Sequence, residues 1–383
     1  MNINVFKPIF RKEEILREIE ECLDKGWTGL GFKTNMFEEK WKEYTGLPNA
    51  HFLNSNTSGL HLAVKILKDV NKWSYGDEII TSPMTFVSSN HAIMYENLTP
   101  VFADVDEHLC LNPESVESLI TKKTKAIMFI GIGGNVGQLK KIVEICKKHK
   151  LKLILDAAHM AGTYIKEGDN HRHVGHEADV TIFSFQSVKN LPTADSGMIC
   201  FKNDDYDNLC RKMSWLGISK DTYQRTNDKG TYKWEYDLVD VGYKYHGNSV
   251  MASMGMVALK YLDVDNDKRR EICDFYEQNM EKNGIKTIKS HEDNYKSSRH
   301  LFQIVVENRD RFMSMLNDKG IYPGVHYRDN TNYGPYSNWY GKCPNSLYYS
   351  DRIISLPLHM YLTEEELKYI VDSVVEINEF LNN

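Results

Sequence analysis

A single lysine, Lys189, lies in a polar loop between two apolar runs, residues 180–185 and 197–201. The pattern reads as strand, loop, strand, with the lysine held between two buried elements. A loop lysine is ordinarily a solvated charge. Its other use is covalent: an amine that condenses with an aldehyde to form a Schiff base. That use needs partners, and candidates for each are present. Asp156 directly follows the apolar run 151–155; it reads either as a helix cap or as a carboxylate paired with a buried cation. His159 follows within a turn and reads as structural or as a hydrogen-bond partner for a ring hydroxyl. Asn54-Ser-Asn-Thr-Ser-Gly59 joins a strand end to a helix start, where free N–H groups and the helix dipole favour an anion. Thr57 and Ser58 add hydroxyls there, and Ser184 closes another strand. Phe86 reads as a core aromatic or as a flat face for a ring. Together these are the parts a pyridoxal phosphate site requires.

The elements that must position them follow from periodicity. Short apolar runs at 78–82, 100–104, 126–130, 151–155 and 180–185 alternate with helical patterns. One such pattern spans 58–70, with Leu62, Val64, Ile66 and Leu67 on a broad apolar face. Asn112-Pro113 reads as an N-cap followed by proline at the first helical position. Leu139, Ile142, Val143 and Cys146 follow helical spacing. This alternation predicts a mostly parallel sheet sandwiched by helices. In such sheets ligands collect at the carboxyl ends of the strands. Beyond residue 250 the pattern shifts to helices at 251–282, a strand at 301–306, a helix at 309–319 and a last helix opened by the capping box Thr363-Glu-Glu-Glu366. The expected division is a large α/β domain with an N-terminal arm, residues 1–250, and a smaller C-terminal α+β domain, residues 251–383.

Composition narrows the class. The chain has 383 residues, 41% hydrophobic and 26% charged, with a formal charge of −6. The charge does not favour nucleic acid or an anionic membrane as partner. No stretch approaches the roughly 20 apolar residues a membrane span needs, and the N-terminus carries no signal-like apolar core. The seven cysteines are scattered without close pairs; reduced thiols in the cytoplasm are the expectation. The histidines of His171-Arg-His-Val-Gly-His176 lack carboxylate or cysteine partners at ligand spacing. They read as a surface turn, and no metal is expected.

In order and spacing, these segments resemble the DegT/DnrJ/EryC1/StrS family of pyridoxal phosphate-dependent nucleotide-sugar aminotransferases of fold type I. The resemblance rests on Gly26-Trp-Thr-Gly-Leu-Gly31, Asn54-Ser-Asn-Thr-Ser-Gly-Leu60, Thr85-Phe-Val87, Leu155-Asp-Ala-Ala-His159, Ser184-Phe-Gln-Ser-Val-Lys189, Gly242-Tyr-Lys-Tyr245 and Leu356-Pro-Leu-His359. It implies that Lys189 is the Schiff-base lysine and proton carrier and that Asp156 pairs with the pyridine nitrogen. It implies too that Phe86 stacks on the ring, that Thr57, Ser58 and Ser184 hold the phosphate, and that His159 lies near the ring hydroxyl. Lys244 would reach the phosphate of a neighbouring subunit, which implies a homodimer with shared active sites. The activity implied is transfer of an amino group from L-glutamate, through pyridoxamine phosphate, to a nucleotide-linked keto-sugar. Such a step belongs to surface polysaccharide, lipopolysaccharide or deoxyamino-sugar assembly. The alternatives are a different keto acceptor, a related sugar dehydratase, or a non-enzymatic regulatory relative. The chain departs from the family pattern at Asn56, at Gly131-Ile-Gly-Gly-Asn-Val-Gly137, at Pro192-Thr-Ala-Asp-Ser-Gly197 and in the stretch from Tyr327 to Tyr333. His326, Tyr327 and Arg328 are therefore the expected substrate residues.

Overall fold

Successive residues of a strand face opposite sides of its sheet, and the strand Thr124–Ile130 shows what this chain does with that rule. Ile127 and Phe129 enter one apolar cluster, while Ala126, Met128 and Ile130 enter another. The strands Lys152–Asp156 and Val180–Ser184 divide their residues between the same two clusters. A sheet buried on both faces, with a helical layer over each, is the only arrangement that hides such runs. The computed structural model describes residues 2–167, 170–219, 236–290 and 294–382.

The central sheet has seven strands, in the order His51–Leu53, Gly197–Phe201, Val180–Ser184, Lys152–Asp156, Thr124–Ile130, Glu78–Thr81 and Thr99–Phe102. Only Gly197–Phe201 runs against its neighbours. The expected mostly parallel α/β sheet is thus observed, and the antiparallel return that follows Lys189 is the strand–loop–strand unit read from the sequence.

The region 251–282, expected as more than one helix, is a single helix, Ser249–Lys282. Its first half contributes Ala252, Met256 and Leu262 to the core beside the sheet. Its second half contributes Ile272, Tyr276 and Met280 to a separate core built from the C-terminal residues. That second core surrounds a three-stranded sheet of Lys286–Thr287, Gln303–Val305 and Ile353–Ser355. The last helix opens with the reciprocal cap expected: the Glu366 amide donates to Thr363 Oγ1, and the Thr363 amide to Glu366 Oε2. The N-terminal strand Ile3–Asn4 pairs with Ile321–Tyr322, and Ile3 joins the C-terminal core. The arm thus touches both cores, since Phe6 packs against the cluster beside the central sheet.

Two local expectations change. The segment His171–His176 is not a surface turn: Asn170–His173 is a strand paired with Tyr164–Glu167, and His173 is buried. Among the described residues no group of three or more His, Cys, Asp or Glu is arranged to hold a metal. All seven cysteines are free and buried. No helix among the described residues is long and apolar enough to cross a membrane.

Candidate active site

Four parallel strands deliver their carboxyl ends to one place, and a cavity of about 420 Å³ opens there. Ile130, Asp156 and Ser184 are strand-terminal residues on its wall, and Thr85 and Phe86 follow the strand Glu78–Thr81. Lys189 enters from the loop between Val180–Ser184 and Gly197–Phe201.

Asp156 is buried and held from several directions. Its Oδ2 accepts from Ser89 Oγ at 2.7 Å, and its Oδ1 from the Ala158 amide at 3.2 Å. Asn56 Nδ2 stands 3.5 Å from Oδ1. Burial pushes the carboxyl up from its usual range, and the Ser89 and Ala158 bonds oppose that shift. Burial also lowers the Lys189 amine to about 8, against the attraction of the Asp156 charge. A cation destabilised by desolvation and a carboxylate in one cavity are what a nucleophilic amine and an electron-withdrawing ring partner require.

The helix Asn56–Asn71 points its N-terminus at this cavity. Ser55 caps it by accepting from the Ser58 amide at 3.1 Å, and Ser55, Asn56 and Thr57 line the wall. Ser58 does not line it. Its hydroxyl lies 2.5 Å from Asn54 Oδ1 and 2.8 Å from Ser55 Oγ, so it reinforces the cap. Helix and sheet approach closely at Gly197: a Cβ there would lie 2.7 Å from the Asn56 nitrogen. Only glycine permits this approach.

Phe86 is 59% exposed although it sits in the wall of the cavity. An aromatic left open in a cavity wall presents its flat face to the space the cavity encloses. Its backbone is anchored from the C-terminal half of the chain. Asn330 is 1% exposed. Its Nδ2 donates to the Thr85 carbonyl at 2.7 Å, its amide to the Pro83 carbonyl at 2.8 Å, and its Oδ1 accepts from Asn90 at 2.9 Å.

The stretch from Tyr327 to Tyr333 divides into buried and exposed residues. Asp329, Asn330 and Thr331 are fully buried and structural. Arg328 is exposed, stacks on Tyr333 at 5.5 Å and does not line the cavity. Of the expected substrate residues only His326 and Tyr327 face the cavity. His326 Nδ1 lies 2.9 Å from Ser355 Oγ, and burial holds its imidazole down to about 4. Lys244 also lies off this chain's cavity, exposed, with its ammonium 3.3 Å from the Trp215 ring centroid.

The lining includes residues the sequence reading passed over. Phe6 stacks on His300 at 5.4 Å and meets His326 edge-on. His300 is held through Nδ1 to Asn190 Oδ1 at 2.8 Å. Asn56, which stood out only as a departure from the family pattern, serves Asp156. Ser89 could have been found, since it lies one helical turn beyond Phe86 and thus on the same side of its helix. Phe6 and His300 had no local signal.

A family model described as the DegT/DnrJ/EryC1/StrS aminotransferase family matches residues 10–375. The spore coat polysaccharide biosynthesis protein SpsC of Bacillus subtilis is 32% identical, over 97% of this chain and 95% of its own length. The solved putative sugar aminotransferase Spr1654 of Streptococcus pneumoniae, in its PMP form, superposes with a TM-score of 0.91 at 28% identity, covering 99% of this chain and 100% of that one. Helicobacter pylori PseC, an aminotransferase involved in the biosynthesis of pseudoaminic acid, superposes with a TM-score of 0.88 at 25% identity, covering 99% of this chain and 100% of its own.

Proposed function

Since the chain belongs to the DegT/DnrJ/EryC1/StrS aminotransferase family, we propose that it is a pyridoxal phosphate-dependent enzyme that moves an amino group from L-glutamate to a nucleotide-linked keto-sugar. One observation carries this reading: the Lys189 amine, lowered to about 8, shares a cavity with the buried carboxylate of Asp156. The residues present fit the cofactor. Asp156 is a carboxylate without a cationic hydrogen-bond partner among the described residues, which suits a protonated pyridine nitrogen. The N-terminus of Asn56–Asn71, with Thr57, suits a phosphate, as does Ser184 on the same wall. Phe86 offers the ring a face.

When bound, the cofactor supplies an electron sink conjugated to the reacting nitrogen. The rest is the work of this chain. Asp156 would hold a proton on the cofactor's pyridine nitrogen. Lys189, its amine lowered to about 8, would take a proton from the carbon on one side of the reacting nitrogen and return it to the carbon on the other side. Phe86 and Tyr327 bound the reacting space. The donor and acceptor react in turn at one site, so the kinetics are ping-pong.

The acceptor class follows from SpsC, a spore coat polysaccharide biosynthesis protein, and from PseC, an aminotransferase involved in the biosynthesis of pseudoaminic acid. A cytoplasmic location accords with seven free cysteines. We read the exposed Lys244, beside the exposed apolar residues Leu216, Leu238 and Val241, as a surface that pairs with a second copy. In that homodimer Lys244 would serve the partner's phosphate. The test loads the protein with pyridoxal phosphate, adds L-glutamate, and then offers a panel of nucleotide-linked keto-sugars, read by mass spectrometry for an added amine. Conversion by the wild type and none by Lys189→Ala is the expected result. Turnover by Lys189→Ala at the wild-type rate, or no spectral response of the wild type to glutamate, overturns the assignment.

A further inference from the structure

The glycine-rich loop after the strand Thr124–Ile130 departs from the family pattern, and its work is visible at Gly133. This residue holds φ +63°, in the left-handed region that favours glycine. Its amide donates to His159 Nδ1 at 3.1 Å. A backbone amide can only donate, so Nδ1 carries no proton, and a neutral His159 must carry its proton on Nε2. Nε2 lies 3.2 Å from the Tyr327 hydroxyl. His159 is therefore the donor in that bond, and the Tyr327 oxygen accepts. The tyrosine's own proton is left to point elsewhere, and no other protein acceptor takes it among the described residues. Tyr327 lines the cavity, its ring 6.2 Å from Phe86.

We infer that the Tyr327 hydroxyl is a hydrogen-bond donor aimed into the cavity by the chain from Gly133 through His159, for an oxygen bearing partial negative charge. His159, whose only N–H is spent on Tyr327, acts as a positioning residue. Burial supports the assignment from both ends: it holds His159 well below its ordinary value, hence neutral, and it raises Tyr327, hence protonated. Neighbouring rings pack against the relay, with His300 4.3 Å from His159 and the Tyr327 ring stacked on it at 6.1 Å.

The oxygen can belong to the cofactor's ring or to a carbonyl or carboxylate of the substrate, and this part rests on the function proposed above. The relay itself does not, and it is tested first on cofactor-free protein. Long-range proton–nitrogen NMR is expected to place the His159 proton on Nε2; a proton on Nδ1, or on both nitrogens at pH 7, overturns the inference. Tyr327→Phe then removes the hydroxyl and keeps the ring. Titration with pyridoxal phosphate and with its 3-deoxy analogue separates the two sources. A roughly tenfold weakening for pyridoxal phosphate alone (the size expected for one hydrogen bond) assigns the ring oxygen. Equal affinities, with a roughly tenfold rise in KM for glutamate or the keto-sugar at little change in kcat, assign a substrate oxygen. If neither affinity nor KM moves, the inference is wrong. Failure of the wild type to bind pyridoxal phosphate at all would sink the proposed function while leaving the NMR result to judge the relay.

Discussion

Gly197→Ala should damage the phosphate end of the cavity, and the expected size can be worked from the packing. The new methyl would lie 2.7 Å from the Asn56 nitrogen, 2.7 Å from the Ser55 carbonyl carbon and 2.8 Å from the Phe183 oxygen. All three are backbone atoms. Ordinary contact lies near ~3.5 Å, so helix start and strand must separate by roughly 0.7 Å. Overpacking of this kind costs about 1–3 kcal/mol. A catalytic group displaced by ~1 Å can lose ~100-fold in rate, so turnover should fall tenfold or more. Gly59→Ala is the control. Its methyl meets Ile182 Cγ2 at 2.6 Å and Leu53 Cδ1 at 3.3 Å, side-chain rather than backbone atoms, so helix start and strand keep their spacing at the cavity. Its cost should fall on packing, about 1–3 kcal/mol, with cofactor affinity held. Urea unfolding of cofactor-free protein measures the first quantity, and titration with pyridoxal phosphate reports on the site. A Gly197→Ala protein with wild-type midpoint and affinity would refute the reasoning. So would a Gly59→Ala protein that lost more cofactor affinity than Gly197→Ala.

Asn330→Ala removes the amide that ties Thr85 and Asn90 together and leaves buried polar atoms unpaired, so unfolding should become easier by about 1–3 kcal/mol, and cofactor affinity should fall as Phe86 loses its anchor. Arg328→Ala, two residues away and exposed, should stay within about 0.5 kcal/mol and keep its KM; a reversed ranking of these two in parallel melts and kinetics would contradict the roles assigned here. For Lys189 the folded value is depressed to about 8 from 10.5. Its stabilising contribution is therefore present above pH 10.5 and lost as the pH falls through about 8. Lys189→Met, which removes the buried charge, should accordingly be more stable than cofactor-free wild type at pH 7, with the gap closing toward pH 10.5; a gap that widens with pH would be the wrong sign. The amine of cofactor-free protein should react with pyridoxal phosphate to half its limiting rate near pH 8, and a midpoint near 10 would contradict its desolvation.

Much of the site was legible because its signals are local. Asp156 and Ser184 were found as polar residues closing apolar runs, and Lys189 as the cation in a loop between two such runs. The Thr57 helix start followed from capping chemistry. The partners of these residues were not legible. Ser89 and Asp156 are 67 positions apart, Asn330 and Thr85 are 245 apart, and neither pair leaves a periodic trace. The buried part of the stretch from Tyr327 to Tyr333 was not legible for the same reason: Asp329, Asn330 and Thr331 are polar, and only their burial shows that Asn330 holds the backbone beside Phe86.

The amino-acid sequence by itself determined the parallel sheet, the edge at which its strands end, and the presence there of Asp156 and Lys189, because each is written in short-range alternation and in the residue that ends it. Only the tertiary structure decided which polar side chains face the cavity and in what protonation state. Those properties depend on desolvation and on hydrogen bonds from every surrounding element. Lys189 stands near neutrality because the whole site encloses it, and the Tyr327 proton is aimed by a glycine amide almost two hundred residues earlier in the chain.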